Sequence, residues 1–147
     1  MKIYVASSWR NVHQPKIVAQ LRDRGHEVYD FRHPAANDHG FSWREIDPNW
    51  QSWDDREFQK ALQQPIADRG FKFDMDALNT ADAVVLVLPC GRSAHLELGY
   101  AVGRRKPTAI LLHGPTEPEL MYKMADCIAC DETTLFNWLW QVGKYAS

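Results

Sequence analysis

Two short segments of this chain concentrate the side chains that could do chemistry. Ser7-Ser8-Trp9-Arg10-Asn11 and Cys90-Gly91-Arg92-Ser93-Ala94-His95-Leu96-Glu97 each combine hydroxyls, a guanidinium and the expected start of a helix. Those are the ingredients of an anion site, because helix N–H groups and arginine both favour negative charge. Glu97 is the sharpest candidate. With Ser93 as the N-cap, a capping-box acid would stand at Leu96, so Glu97 falls one residue too late for that local duty. It stays near the helix N-terminus, where the dipole favours a carboxylate and keeps it ionised near neutral pH. A solvent-facing acid that only steadies its helix is the plainer alternative, and both readings stay open on spacing alone. Asp74 is a second carboxylate of interest, while Asp76 and Asp82 read as cap or first-turn acids.

Other chemistry finds less support. The six histidines show no H-E-x-x-H or comparable ligand spacing, so nothing points to a metal. His33, after the second strand, and His95, near Glu97, are the two placed to touch a ligand. Cys127 and Cys130 form a C-x-x-C pair, but Cys90 alone does not complete a structural zinc set. The pair reads instead as two small residues of a short buried strand. Neither a P-loop nor a G-x-G-x-x-G is present, so triphosphate and dinucleotide motifs are absent.

The elements that must position these residues alternate from the first residue. Strands are expected over 3–6, 28–31, 83–88, 108–112 and 127–130, and helices over 15–24, 56–63, 74–80, 93–103, 117–124 and 133–142. Gly25 follows the first helix as a stop signal. Alternating strands and helices predict a single three-layer α/β domain over residues 1–147, flavodoxin-like or Rossmann-like. It has a five-stranded, mostly parallel sheet with helices on both faces. In such sheets ligands bind beyond the carboxyl ends of the strands, where strand order reverses, and that rule selects the two segments above. A Trp-rich insertion, 32–55, breaks the rhythm after the second strand and contains Phe41, Trp43, Trp50 and Trp53. A loop of this length in a small domain is usually functional or disordered, and its aromatic content argues against disorder. Trp43 and its neighbours serve either as an apolar lid or as a wall that stacks on a planar ligand.

Composition narrows the partners. Of 147 residues, 45% are hydrophobic and 24% charged, a globular balance. The net charge of -2 gives no reason to expect a nucleic-acid polymer or an anionic membrane. No run approaches the roughly 18 apolar residues of a membrane span, and the N-terminus shows no signal-peptide pattern. Three cysteines do not pair evenly, so a reducing, cytoplasmic location is expected.

Three elements together resemble the nucleoside 2-deoxyribosyltransferase family, which includes the 2'-deoxynucleoside 5'-monophosphate N-glycosidases. They are Ile3-Tyr4-Val5-Ala6-Ser7-Ser8-Trp9-Arg10, then Asp74-x-x-x-Leu78-x-x-Ala81-Asp82 before an apolar strand, then Glu97-Leu98-Gly99-Tyr100-Ala101. The resemblance covers most of the chain outside the insertion. It implies that Glu97 attacks the anomeric carbon, that Tyr4 orients that carboxylate, and that Asp74 contacts the sugar or base and helps the base leave with a proton. Ser8 and Arg10 would hold a 5'-phosphate, aided by the helix start at Gly91, Arg92 and Ser93. No metal or organic cofactor is implied. The partner would be a small nucleotide or nucleoside, in a homodimer or larger homo-oligomer whose sites borrow residues from a neighbour.

Two positions depart from the family pattern. Gly91 stands where relatives often carry Asp or Ser, and Glu119 stands where they supply a neutral group, so it would repel a phosphate if turned inward. The leading expectation is an N-glycosidase for a nucleoside 5'-monophosphate. Base exchange on deoxynucleosides and a nucleotide-binding sensor without turnover are the alternatives. A flavodoxin-like FMN carrier fits the fold but lacks a Ser/Thr-rich phosphate loop.

Overall fold

Continuous apolar runs such as Ala83-Val84-Val85-Leu86-Val87 can be buried only in a sheet covered on both faces. The structure, a computed structural model, describes residues 1–114 and 117–145. Its strands are β1 (Lys2–Ala6), β2 (Glu27–Asp30), β3 (Ala83–Val87), β4 (Thr108–Leu111) and β5 (Cys127–Ala129). They form one parallel sheet in the order β2-β1-β3-β4-β5. The helices are α1 (Gln14–Asp23), α2 (Asp55–Ala61), α3 (Pro65–Thr80), α4 (Arg92–Gly103) and α5 (Glu132–Tyr145). This is the flavodoxin-like arrangement read from the sequence, with the order reversing between β1 and β3.

The period of two along each strand sorts side chains into two cores. Ile3, Val5, Val85 and Val87 pack with Ile17, Leu21, Leu135 and Leu139 of α1 and α5. Tyr4, Ala6, Val84 and Leu86 pack with Leu78, Ala94 and Leu98 of α3 and α4. The second core carries the candidate chemistry, because Tyr4 is a phenol set wholly inside it.

Several elements depart from the sequence reading. α3 begins at Pro65 rather than at residue 74, so Asp74 stands well inside a 16-residue helix. Gly70 weakens the helical signal there, yet the position must stay small: a Cβ would come within 2.8 Å of Phe41 Cβ. α4 is capped by Gly91, not Ser93. Asp76 is a mid-helix acid paired with Lys72, and Asp82 accepts from the Lys2 amide, so neither caps a helix. The 117–124 helix is a shorter 3-10 turn, Leu120–Met124, capped by the Glu119 side chain. β5 lies at the sheet edge; Cys127 is only partly buried and Cys130 is exposed, which corrects their placement in a buried strand.

The insertion is ordered around its own aromatic cluster. Trp43 meets Phe41, Trp53 and Phe58 edge to face at 4.8–5.8 Å. Two 3-10 turns, Trp43–Glu45 and Trp50–Ser52, carry it, and a capping box of Asp54 and Glu57 starts α2. An ion pair from Arg69 on α3 to Asp38, 2.6 Å, pins its near end. Gly40 takes φ +77°, and a Cβ there would collide with the Phe31 carbonyl. At the start of the insertion, Arg32 Nη2 donates to the carbonyls of Ser8, Trp9 and Asn11 at 3.3, 2.9 and 2.9 Å. No helix among the described residues is long and apolar enough to cross a membrane.

Candidate active site

Four side chains converge in the layer between the sheet and helices α3 and α4. Tyr4 and Tyr29 are register partners on β1 and β2, so both phenols rise from the same face. Their rings stack with centroids 5.0 Å apart and planes inclined by 21°. The Tyr29 hydroxyl donates to Asp74 Oδ1 at 2.8 Å. Glu97 comes from the second turn of α4 and, like Asp74, is partly buried. The Tyr4 hydroxyl is buried beside both carboxylates but closes no well-formed hydrogen bond to either. An orphaned phenol between two carboxyls is poised to bond whichever one turns toward it.

Electrostatics separate the two acids from ordinary surface carboxylates. Burial raises Glu97 first, the charge of Asp74 adds to it, and Tyr4 opposes; the carboxyl is pushed up to about 7. This corrects the expectation that the helix dipole keeps Glu97 ionised. With Gly91 as cap, Glu97 lies beyond the first turn, where the dipole has faded and desolvation wins. Asp74 is also raised by burial, against the lowering effect of Tyr29 and Tyr4. Burial, then the nearby carboxylates, hold both phenols protonated, so they act as donors. A pair of carboxyls that shares one proton near neutral pH can supply a nucleophile and an acid at once.

The loops at the carboxyl ends of β1 and β3 lie side by side, tied by a residue that sequence reasoning missed. Asn11 is 2% exposed, and its Nδ2 reaches Ser7 Oγ, the Val87 carbonyl and the Pro89 carbonyl at 2.9, 3.1 and 3.1 Å. Ser7 Oγ also donates to the Val87 carbonyl at 2.8 Å, and Asn11 Oδ1 accepts from the His13 amide. Asn11→Ala would strand these buried groups and should cost about 2 kcal/mol, lowering Tm by about 4–8 °C. Thermal melts with circular dichroism check this; an unchanged Tm rejects the strut.

Other predicted residues take varied places. Ser8 Oγ accepts from the Arg10 amide at 3.2 Å, and the Arg10 side chain is exposed beside it. Gly91, Arg92 and Ser93 are exposed at the start of α4. His33 is exposed, with its ring 3.3 Å from Asp30 and edge-on to His39. Trp43 is committed to the aromatic cluster of the insertion, which accounts for its ring without a ligand. His95 donates from Nδ1 to the Gly91 carbonyl at 2.8 Å, which leaves Nε2 to accept from the Tyr122 hydroxyl, also at 2.8 Å. Cys90 sits against this pair, its thiol pushed up to about 12 by burial and then by Glu97. Tyr29, Asn11 and Tyr122 carry no motif; the signal for Tyr29 was its alternation phase in β2, matched to that of Tyr4 in β1.

Concavity alone does not mark the site. A groove of about 200 Å³ runs beside Tyr29, Asp30 and His33 but excludes Glu97. A larger one of about 680 Å³ lies across the sheet against α5. Among the described residues no cluster of three or more His, Cys, Asp or Glu could hold a metal ion.

Fold and site thus define a flavodoxin-like domain with a tyrosine-flanked carboxylate pair at its switch point. Two solved structures share the fold. One is a 2-deoxyribosyltransferase from the psychrotolerant bacterium Bacillus psychrosaccharolyticus, with TM-score 0.61 and 23% identity over 93% of this chain and 91% of that one. The other is a CMP N-glycosidase from Clostridium botulinum, with TM-score 0.51 and 16% identity over 95% of this chain and 98% of that one. They are enzymes of the two kinds that the sequence resemblance names. No family model and no curated protein matches the sequence.

Proposed function

We propose that this protein is an N-glycosidase that cleaves the base–sugar bond of a nucleoside 5'-monophosphate. The observation that carries the reading is the pair of partly buried carboxyls, Glu97 and Asp74, gathered with Tyr4 and Tyr29 on one face of the sheet. Ionised Glu97 attacks the anomeric carbon; a C–O bond forms while the C–N bond breaks and its electron pair leaves with the base. The one proton that the two carboxyls hold passes from Glu97 to Asp74 as Glu97 engages the sugar, and Asp74 gives it to the base. Water then attacks the glycosyl-Glu97 ester, returning the carboxylate, and its proton goes back to Asp74. Tyr4, whose buried hydroxyl lies beside both carboxyls, donates to Glu97 when that carboxylate turns toward it and so orients it. No cofactor enters the scheme.

Ser8, Arg10 and the start of α4 at Gly91, Arg92 and Ser93 are assigned to the 5'-phosphate. Glu119 accepts from the Met121 amide of its own turn, an engagement in keeping with the phosphate reading. His33, exposed beside Tyr29, is assigned to the base side, and Trp43 to shaping the insertion. Arg10→Ala should raise KM about tenfold for nucleotides and leave nucleosides unaffected; equal losses on both would reject the phosphate role. Exposed Leu96 and Leu120, 76% and 75%, support a homo-oligomer, which light scattering of the purified protein tests. The same reading places the enzyme in the cytoplasm.

The deciding assay incubates the protein with nucleotides and nucleosides, with and without an acceptor base, and follows bases by chromatography. Release of base without acceptor is expected. Turnover only with acceptor would mean base exchange, the activity class of the transferase that shares the fold. Binding without release would mean a sensor. The active form holds one proton between Glu97 and Asp74, so kcat/KM should fall as pH rises through about 7 and that proton is lost.

A further inference from the structure

Tyr29 has a task that no motif announced. Its ring is held by the stack on Tyr4, and from that fixed seat its hydroxyl meets Asp74 Oδ1 at 2.8 Å. A hydroxyl that donates to a carboxylate in a partly dry layer both orients the carboxyl and stabilises its charge. We infer that Tyr29 is the positioning residue for Asp74, holding Oδ1 so that Oδ2 is the oxygen that exchanges a proton. The inference deepens the proposed function and rests on it for the role of Asp74 as acid.

The surroundings make the bond consequential. Tyr4 on β1, Glu97 on α4 and Asp38 of the insertion are the charged or titratable groups that bear on Tyr29 and Asp74, and Asp38 is itself neutralised by Arg69. Two carboxylates therefore face Asp74 or its partner, while the direct donor to Asp74 is Tyr29. Without that donor Asp74 would hold its proton to higher pH and release it less readily to a departing base.

Tyr29→Phe keeps the ring and removes the donor. Infrared spectra of protein carrying ¹³C-carboxyl aspartate, with Asp74→Asn subtracted to assign the band, read the ionisation of Asp74 in the resting protein. A rise of about one pH unit is expected, with kcat down about tenfold and KM little changed. An Asp74 titration that does not move in folded Tyr29→Phe overturns the inference. Should that variant fail to fold, ¹³Cζ-tyrosine spectra of the unsubstituted protein decide: the Tyr29 resonance must follow the Asp74 step, and a flat signal overturns the inference equally. Neither spectrum needs turnover, so absence of base release would sink the N-glycosidase reading while leaving this measurement standing.

Discussion

Glu97→Gln is expected to abolish base release, by a factor of about 10³ or more, while making the fold more stable at pH 8. The amide cannot attack the anomeric carbon, and loss of a nucleophile removes the step on which the rest of the site depends. The gain in stability comes from the same environment. Folded, the Glu97 carboxyl is pushed up to about 7 by burial and by Asp74; unfolded, it returns to about 4.3. The native state therefore binds this proton more tightly than the unfolded state, and rising pH destabilises the fold between those two values. Above the upper value the penalty is of the order of 1–3 kcal/mol, and below the lower one it vanishes. Glutamine removes the penalty, so urea denaturation should show a gain at pH 8 that shrinks toward zero near pH 5. An inactive variant that is more stable cannot owe its inactivity to misfolding. Retained activity, or a loss of stability at pH 8, would remove the central claim.

Asp74→Asn should lower kcat by about 10²–10⁴, the span of general acid catalysis by a placed side chain. Size alone would not identify the role, since any damage to the site slows turnover. The leaving group separates the cases. A nucleotide whose purine is methylated at N7 carries a cationic base that departs without a proton. With that substrate the loss in Asp74→Asn should shrink to less than about tenfold, as the missing proton is no longer needed. An equal loss on methylated and ordinary substrates would show that Asp74 acts on binding or on shape and not as an acid.

How far the sequence reaches can be seen residue by residue. The apolar runs at 3–6 and 83–88 have one stable fate, a doubly covered parallel strand, so the architecture and the β1/β3 switch point were legible. Glu97 and Asp74 were legible as residues, but their electrostatics were not, because burial by α3 and α4 is a tertiary fact that outweighs the local dipole. The cap of α4 was misplaced by two residues because Ser93 is the better cap by type. In the fold, Asn11 and His95 hold the carbonyls of Val87, Pro89 and Gly91, and the chain turns into the helix earlier. Asp74 was placed at a helix start, whereas the helix already runs from Pro65 and carries Gly70 within it, where contact with Phe41 demands the smallest residue. Tyr29 could be found only from strand register, since its partner lies 45 positions away.

The three-fold grip of Arg32 on the carbonyls of Ser8, Trp9 and Asn11 has a practical side. Anyone who grafts a different insertion onto this scaffold, or randomises it from its first residue, would also be loosening the strap that shapes the turn bearing Arg10. A library that keeps Arg32 and varies only the residues beyond Gly40 should therefore leave the path of the Ser8–Asn11 turn intact.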